Sequence, residues 1–207
     1  MPIDTVNLWG FPEEPPKTKR GNSILTLGSI NVNGEIRQKD DFYATDPNAL
    51  KSLLEYETFK HEVWEPACGS GWLSNVLEEY GYDVKNSDII ERATLNNFEC
   101  KDFFSYEVNN RDIITNPPYF CVNEFVRHAL DISTEGTKIA MILRLTFLEG
   151  KKRRQLIFNS DKPRKIYVFS ERVLMAKDGI MPQGSAVAYA WFIWEKGYKG
   201  NTELFWI

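Results

Sequence analysis

From Asp46 onward the chain alternates short apolar runs with amphipathic segments, and this alternation limits the fold more than any other feature. "DPNALKSLLEYETF" opens with Asp46 as a helix cap and Pro47 at the first helical position, and Leu50, Leu53, Leu54 and Phe59 form its apolar face. "HEVW" ends a short strand, a glycine-rich turn follows, and Trp72 to Tyr80 reads as a helix closed by Gly81. "DVKNSDI" and "RDIITN" read as strands, with a helix from Val122 to Leu130 after the second. "KIAMILRL" is a strand buried on both faces, "KKRRQLIFN" a helix, "RKIYVFS" a strand, and "AVAYAWFIWEKG" a long apolar strand partnered by "TELFWI". Strands alternating with helices predict an α/β fold, a mostly parallel sheet covered on both faces. The strands crowded at the end predict antiparallel pairing at one edge.

Residues 1–40 lack this rhythm. "FPEEPPKTKRGN" suits neither a helix nor a central strand, "SILTLGSI" could form a short strand, and "NVNGE" reads as a turn. The expectation is a partly flexible N-terminal extension over 1–40 and a single domain over 41–207. With 43% apolar and 26% charged residues, the composition is that of a soluble globular protein, and no apolar run reaches membrane-span length. The start carries no signal-peptide pattern, and Cys68, Cys100 and Cys121 lack metal-ligand spacing. Reduced thiols, a cytoplasmic setting and no metal are therefore expected. A net charge of −4 argues against a protein that coats nucleic acid non-specifically. One local basic run, Lys151, Lys152, Arg153 and Arg154, is a candidate nucleic-acid contact, and a solvated helix face is the plain alternative.

"EPACGSG", Glu65 to Gly71, lies between a strand and a helix. Glycines there let a ligand approach the backbone and expose N–H groups at a helix start, which suits an anionic group. The pattern is neither a G-x-G-x-x-G fingerprint nor a Walker loop. Glu65 adds a carboxylate for an ammonium, and Asp88, ending the next strand, can hold ribose hydroxyls. Together they favour a nucleoside–amino acid ligand over a merely structural turn.

"DIITNPPYF" ends a buried strand on an amide, two prolines and two rings. The prolines deny the ladder a continuation, so the Asn116 side-chain oxygen and the Pro117 carbonyl can both face outward as acceptors. Two acceptors beside the flat face of Tyr119 suit a planar amino group whose lone pair must be freed for attack. A proline-rich loop capped by Asn is the structural alternative. His61 and His128 are expected to be structural or exposed rather than catalytic.

In combination these motifs resemble the S-adenosylmethionine-dependent amino-group methyltransferases, specifically the DNA N6-adenine methyltransferases of small phage or prophage type. "EPACGSG" looks like the family's cofactor motif and "NPPY" like its catalytic motif, in the order that excludes the permuted class. "DFYATDP" resembles the stretch that closes over the cofactor, although Asp46 lies between Thr45 and Pro47 here. "KDFF" resembles the segment whose acid approaches the cofactor adenine. The resemblance implies a Rossmann-like class I methyltransferase fold with a seven-stranded sheet, "AVAYAWFIWEKG" being its long edge strand. It implies catalysis by Asn116, Pro117, Pro118 and Tyr119. Phe42, Tyr43 and Thr45 would close over the cofactor. Glu65, Pro66, Ala67, Gly69 and Gly71 would hold its methionine end, Asp88 the ribose, and Asp102 with Phe103 the adenine, with Asn116 at the transferred methyl. DNA is the expected partner, met by Tyr119, Phe120 and Lys151 to Arg154 in the cytoplasm of a bacterium or a phage-infected host. No separate target-recognition domain is expected, so recognition falls to short loops such as "SERVLMAKDGIMPQGSA". RNA adenine or a protein glutamine is the alternative acceptor, and a non-catalytic binding module is the alternative class.

Overall fold

Side-chain alternation along one strand, Lys138–Arg144, explains why helices cover the sheet twice. Ile139, Met141 and Leu143 point into one core and Ala140 and Ile142 into the other, all at 1% exposure or less. The computed structural model of the chain describes residues 43–177 and 181–207. In chain order the strands are β1 (Tyr43–Thr45), β2 (Glu62–Glu65), β3 (Asp83–Asp88), β4 (Phe98–Cys100), β5 (Asp112–Thr115), β6 (Lys138–Arg144), β7 (Lys165–Val168), β8 (Met175–Lys177), β9 (Tyr189–Glu195) and β10 (Glu203–Trp206). The helices are α1 (Pro47–Leu54), α2 (Trp72–Glu79), α3 (Val122–Ile132) and the short α4 (Lys151–Arg153), which continues as a π-helical turn over Arg154–Phe158.

The main sheet runs β10-β7-β9-β6-β5-β2-β3-β4. Neighbours are parallel except at β9, which runs against both β6 and β7. The mostly parallel sheet with antiparallel pairing on one side therefore matches the expectation. Among the described residues this sheet has eight strands, seven plus β10. The long apolar "AVAYAWFIWEKG" contributes β9, which lies inside the sheet, and "TELFWI" pairs with β7 rather than with β9. Burial explains the first difference: β9 is apolar along nearly its whole length, and all but Glu195 of its residues are buried. Such a strand needs a neighbour on each side and a core on each face.

α1 and α2 pack on one face through Leu50, Leu53, Leu73, Val76 and Leu77. α3 packs on the other through Phe125, Val126, Ala129 and Leu130. The helix signals act as read: Asp46 accepts a hydrogen bond from the Asn48 N–H at 2.9 Å, and Gly81 after α2 has φ +85°. β1 and β8 form a separate antiparallel ribbon, with Thr45 opposite Met175. Phe42, "SILTLGSI" and "NVNGE" lie outside the described residues. Among the described residues no helix is long and apolar enough to cross a membrane.

Candidate active site

Parallel pairing of β2 with β3 and β5, and of β5 with β6, brings the carboxyl ends of these strands to one edge, where α/β sheets bind ligands. The glycine turn leaves β2 there. Gly69 (φ +53°) and Gly71 (φ +80°) both take left-handed backbone. At Gly71 the Leu95 side chain adds a second requirement, since a Cβ would lie 2.4 Å from Leu95 Cδ2. Gly71 caps α2 with no side-chain hydrogen bond, so no side chain of the cap satisfies the first N–H groups of that helix. Pro66 is buried under the turn, and Ala67 packs against the α3-side core.

Asp88 ties the turn to β3. Its Oδ2 accepts from the Gly69 N–H at 2.9 Å, and its Oδ1 accepts from the Ile90 N–H at 3.2 Å and from Arg92 Nη1 at 3.1 Å. Three bonds leave the carboxylate about one further acceptor position for a hydroxyl.

Glu65 is 2% exposed and faces Ser74, whose hydroxyl also lies 2.6 Å from Asn86 Oδ1. Asn86 Nδ2 donates to the Asn96 carbonyl at 2.8 Å, so Oδ1 is the acceptor end of that amide. Ser74 has one proton and two acceptors beside it. If it donates to Asn86, Glu65 must itself carry a proton to make its bond. Burial pushes the Glu65 carboxyl up to about 8; the bonds from Ser74 oppose that rise and the negative charge of Asp88 adds to it. Glu65 is thus a buried acid at the base of the turn, where the sequence suggests an open carboxylate.

The Asn-Pro-Pro-Tyr segment leaves β5 beside this turn. Asn116 Nδ2 donates to the Tyr43 carbonyl at 3.0 Å and lies 3.9 Å from Met175 Sδ. This contact joins two motifs far apart in sequence, because the β1–β8 ribbon presses on the strand end. It also orients the amide. The nitrogen is committed to Tyr43, and Oδ1 is buried with no hydrogen-bond partner among the described residues. Thr45 Oγ1, 2% exposed in the residue as a whole, is likewise a buried oxygen with no partner. A buried acceptor without a donor is costly, and such groups cluster where a ligand completes them. Pro117 is buried, Pro118 is half-buried, and Phe120 is 39% exposed. The half-buried Tyr119 ring lies 6.1 Å from the Tyr189 ring and 5.2 Å from the Arg144 guanidinium.

Two further residues, Phe103 and Arg153, stand differently from their expected positions. Asp102 is exposed and caps a short 3-10 turn by accepting from the Phe104 N–H at 3.0 Å. Phe103, expected beside it at the cofactor adenine, is 3% exposed and stacks on Phe125 at 4.1 Å in the core, leaving Phe104 as the half-buried ring. Lys151, Lys152 and Arg154 are exposed, but Arg153 turns inward. Its Nη1 donates to the carbonyls of Thr146, Phe147 and Glu149 at 3.1, 2.8 and 2.6 Å, and its Nε donates to Asn123 Oδ1 at 2.8 Å. Arg153 therefore clamps the loop after β6 and is not available as a phosphate ligand. Arg153→Ala is expected to lower the unfolding free energy by about 2 kcal/mol, and Lys152→Ala to leave it within about 0.5 kcal/mol, both read by urea denaturation. Equal small effects would return Arg153 to the solvated face. His128 Nε2 contacts the Phe103 carbonyl at 3.0 Å, and His61 is exposed.

The residues that sequence reasoning missed are Ser74, Asn86, Arg92, Met175 and Arg144. Ser74 and Asn86 did carry a signal, since each is a polar residue at a buried position of its helix or strand.

No protein-family model matches the chain, and no curated protein matches it in sequence. Solved structures do resemble it. A modification subunit attributed to a type I restriction enzyme of Vibrio vulnificus superposes with a TM-score of 0.57 at 12% identity over 80% of this chain, which spans 47% of that protein's length. A predicted O-methyltransferase from Agrobacterium tumefaciens gives 0.53 at 13% identity, over 78% of this chain and 84% of the other. A protein from Lactococcus lactis described as a candidate hemolysin gives 0.53 at 10% identity, over 75% of this chain and 89% of the other. At these identities the likeness shows the fold alone: the chain has the Rossmann-like fold of class I methyltransferases.

Proposed function

We propose that the protein is an S-adenosylmethionine-dependent methyltransferase acting on the exocyclic N6 amino group of adenine in DNA. The observation that carries this reading is the Asn116 amide, fixed at its nitrogen by the Tyr43 carbonyl and holding out a buried oxygen that lacks a donor. An amino group entering beside the strand end supplies that donor. Acceptance of its hydrogens by Asn116 Oδ1 and the Pro117 carbonyl turns the nitrogen lone pair out of the base plane and toward attack. Tyr119 stacks on the base, which must leave its helix or come from a single strand to reach the site.

The glycine turn fits the cofactor, because a left-handed Gly71 starts a helix that no side chain caps, and Asp88 stands at the adjacent strand end. Gly69, Gly71 and the start of α2 would hold the methionine end, with Glu65 beneath them. Asp88 would hold the ribose and the exposed Asp102 the adenine, while Tyr43 and Thr45 would close the site from the β1–β8 ribbon. When bound, S-adenosylmethionine supplies an electrophilic methyl on sulfonium. No strong general base is needed, since the amine sheds its proton after attack. In this reading residues 41–207 are the catalytic domain and 1–40 an extension, working in a bacterial or phage-infected cytoplasm. The "NPPY" resemblance and the fold shared with a restriction-modification subunit support the choice of DNA.

The test is transfer of labelled methyl from S-adenosylmethionine to unmethylated DNA, followed by nucleoside analysis. N6-methyladenine is the expected product. Label found only on RNA or on a glutamine side chain would move the activity to that acceptor. Cofactor binding with no transfer to any of them would leave a binding module.

A further inference from the structure

Beside Tyr119, at the carboxyl end of β6, lies a groove of about 570 Å³. Its floor is closed by the Leu145 N–H bonded to the Ala188 carbonyl at 2.8 Å. Its walls include Arg144, Thr146, Leu148, Glu149, Arg172 and Val187. The two arginines differ from most others in the fold. Arg111, Arg127 and Arg164 are paired with carboxylates, Arg92 is paired with Asp88, and Arg153 is spent on backbone carbonyls. Arg144 and Arg172 are both exposed, and neither side chain makes a hydrogen bond or ion pair among the described residues. Arg144 also links the groove to the candidate site, because its guanidinium lies over the Tyr119 ring. The lining holds two cations and a single carboxylate, Glu149, and the 45% exposed Leu148 adds apolar surface to it.

We propose that this groove binds the DNA strand next to the target adenine, with Arg144 and Arg172 each engaging a backbone phosphodiester. This rests on the reading of the protein as a DNA adenine methyltransferase. A base seated on Tyr119 remains attached to its neighbours, so the strand must leave the site across the adjoining surface. Guanidinium groups meet phosphate oxygens through a planar fork of N–H donors, and a surface with unpaired forks needs no internal ion pair broken first. The groove lets sugar edges lie on Leu148 and Val187 while the phosphates meet the arginines. The basic run at Lys151 and Lys152 begins two residues after Glu149, so it would extend the same path.

The experiment measures binding of a fluorescently labelled adenine-containing DNA oligonucleotide by anisotropy across a salt series, together with steady-state methylation. The proteins compared are wild type, Arg144→Gln, Arg172→Gln, the double variant, and Lys199→Gln as an exposed cation after β9, whose last residue pairs with the start of β6 rather than with its groove end. Arg172→Gln is expected to weaken DNA binding about five- to tenfold near 0.1 M salt and to reduce the log–log salt slope by about one. Its kcat at saturating DNA should stay within about twofold, so the loss falls in KM. The double variant should reduce the slope by about two, and Lys199→Gln should change neither quantity appreciably. Wild-type affinity and slope in both groove variants would overturn the proposal, as would a wild-type protein that does not bind DNA. If DNA binds with the expected slope changes but no methyl is transferred, the groove stands and the methyltransferase reading falls. If DNA is methylated with unchanged slopes, the reverse holds.

Discussion

Asn116→Ala is expected to reduce methyl transfer by about 10²- to 10³-fold in kcat, with cofactor affinity changed by less than about tenfold, as read by single-turnover transfer and calorimetry. The size follows from where the amide acts. In the proposed reaction its oxygen would be the acceptor that sees the amino nitrogen change shape, so its contribution would grow between ground state and transition state and fall on kcat rather than on binding alone. Asn116→Asp separates this account from a simpler one. Aspartate keeps an acceptor oxygen, and if an acceptor were all the site needed, the variant would stay active. But Nδ2 donates to the Tyr43 carbonyl at 3.0 Å, and a carboxylate there would face that carbonyl with no proton to share. The ring of contacts from β1 through Met175 would be pushed off the strand end, and the remaining oxygen would lose its aim. Asn116→Asp should therefore be nearly as inactive as Asn116→Ala. An Asp variant within tenfold of wild type would show that Tyr43 does not orient the amide, and an active Ala variant would remove Asn116 from the chemistry.

That orientation marks the boundary between what could be read from the sequence and what could not. The strands and helices from Asp46 were legible because each carries its own periodicity and its own stop signal, such as Asp46 before α1 and Gly81 after α2. The two motifs were legible because glycine and proline are used where few other residues can stand. The three-residue strands β1, β4 and β8 were not, since a run that short has no period and exists only because a distant partner supplies its hydrogen bonds. The amide's direction was hidden for the same reason, because the carbonyl that sets it sits on β1. Phe103 and Phe104 are equivalent as letters, and only the packing of Trp64, Phe125 and His128 around the first decides which ring is core. Arg153 reads as one member of a basic run until the loop after β6 brings its carbonyls to the guanidinium. In each case the missing information was long-range, whereas the spacing of residues along the chain is local.

Glu65 shows the same limit in a measurable form, and Glu65→Gln is expected to remove a large pH dependence of stability. In the unfolded chain the carboxyl loses its proton near its ordinary value of 4.5, whereas in the folded protein burial holds the proton up to about 8. Between those values the folded state keeps a proton that the unfolded state has released, so stability falls as pH rises. The contribution is fully present below 4.5 and is lost as pH rises through about 8, at about 1.4 kcal/mol per pH unit. Glutamine can still donate to the Ser74 hydroxyl, which donates in turn to Asn86, but it has nothing to ionise. Compared by urea denaturation between about pH 5.5 and 8, wild type should lose about 3 kcal/mol relative to Glu65→Gln. Parallel curves would mean that Glu65 is ionised when folded and that Ser74 donates to it instead of to Asn86. The same proton bears on ligand binding. An ammonium reaching Glu65 favours its carboxylate, so binding of S-adenosylmethionine near pH 6.5 should release about one proton from wild type and none from Glu65→Gln, measured calorimetrically in buffers of different ionisation enthalpy. Proton release from both proteins, or from neither, would place the ammonium elsewhere and leave Glu65 as the buried acid that joins β2 to α2 and β3.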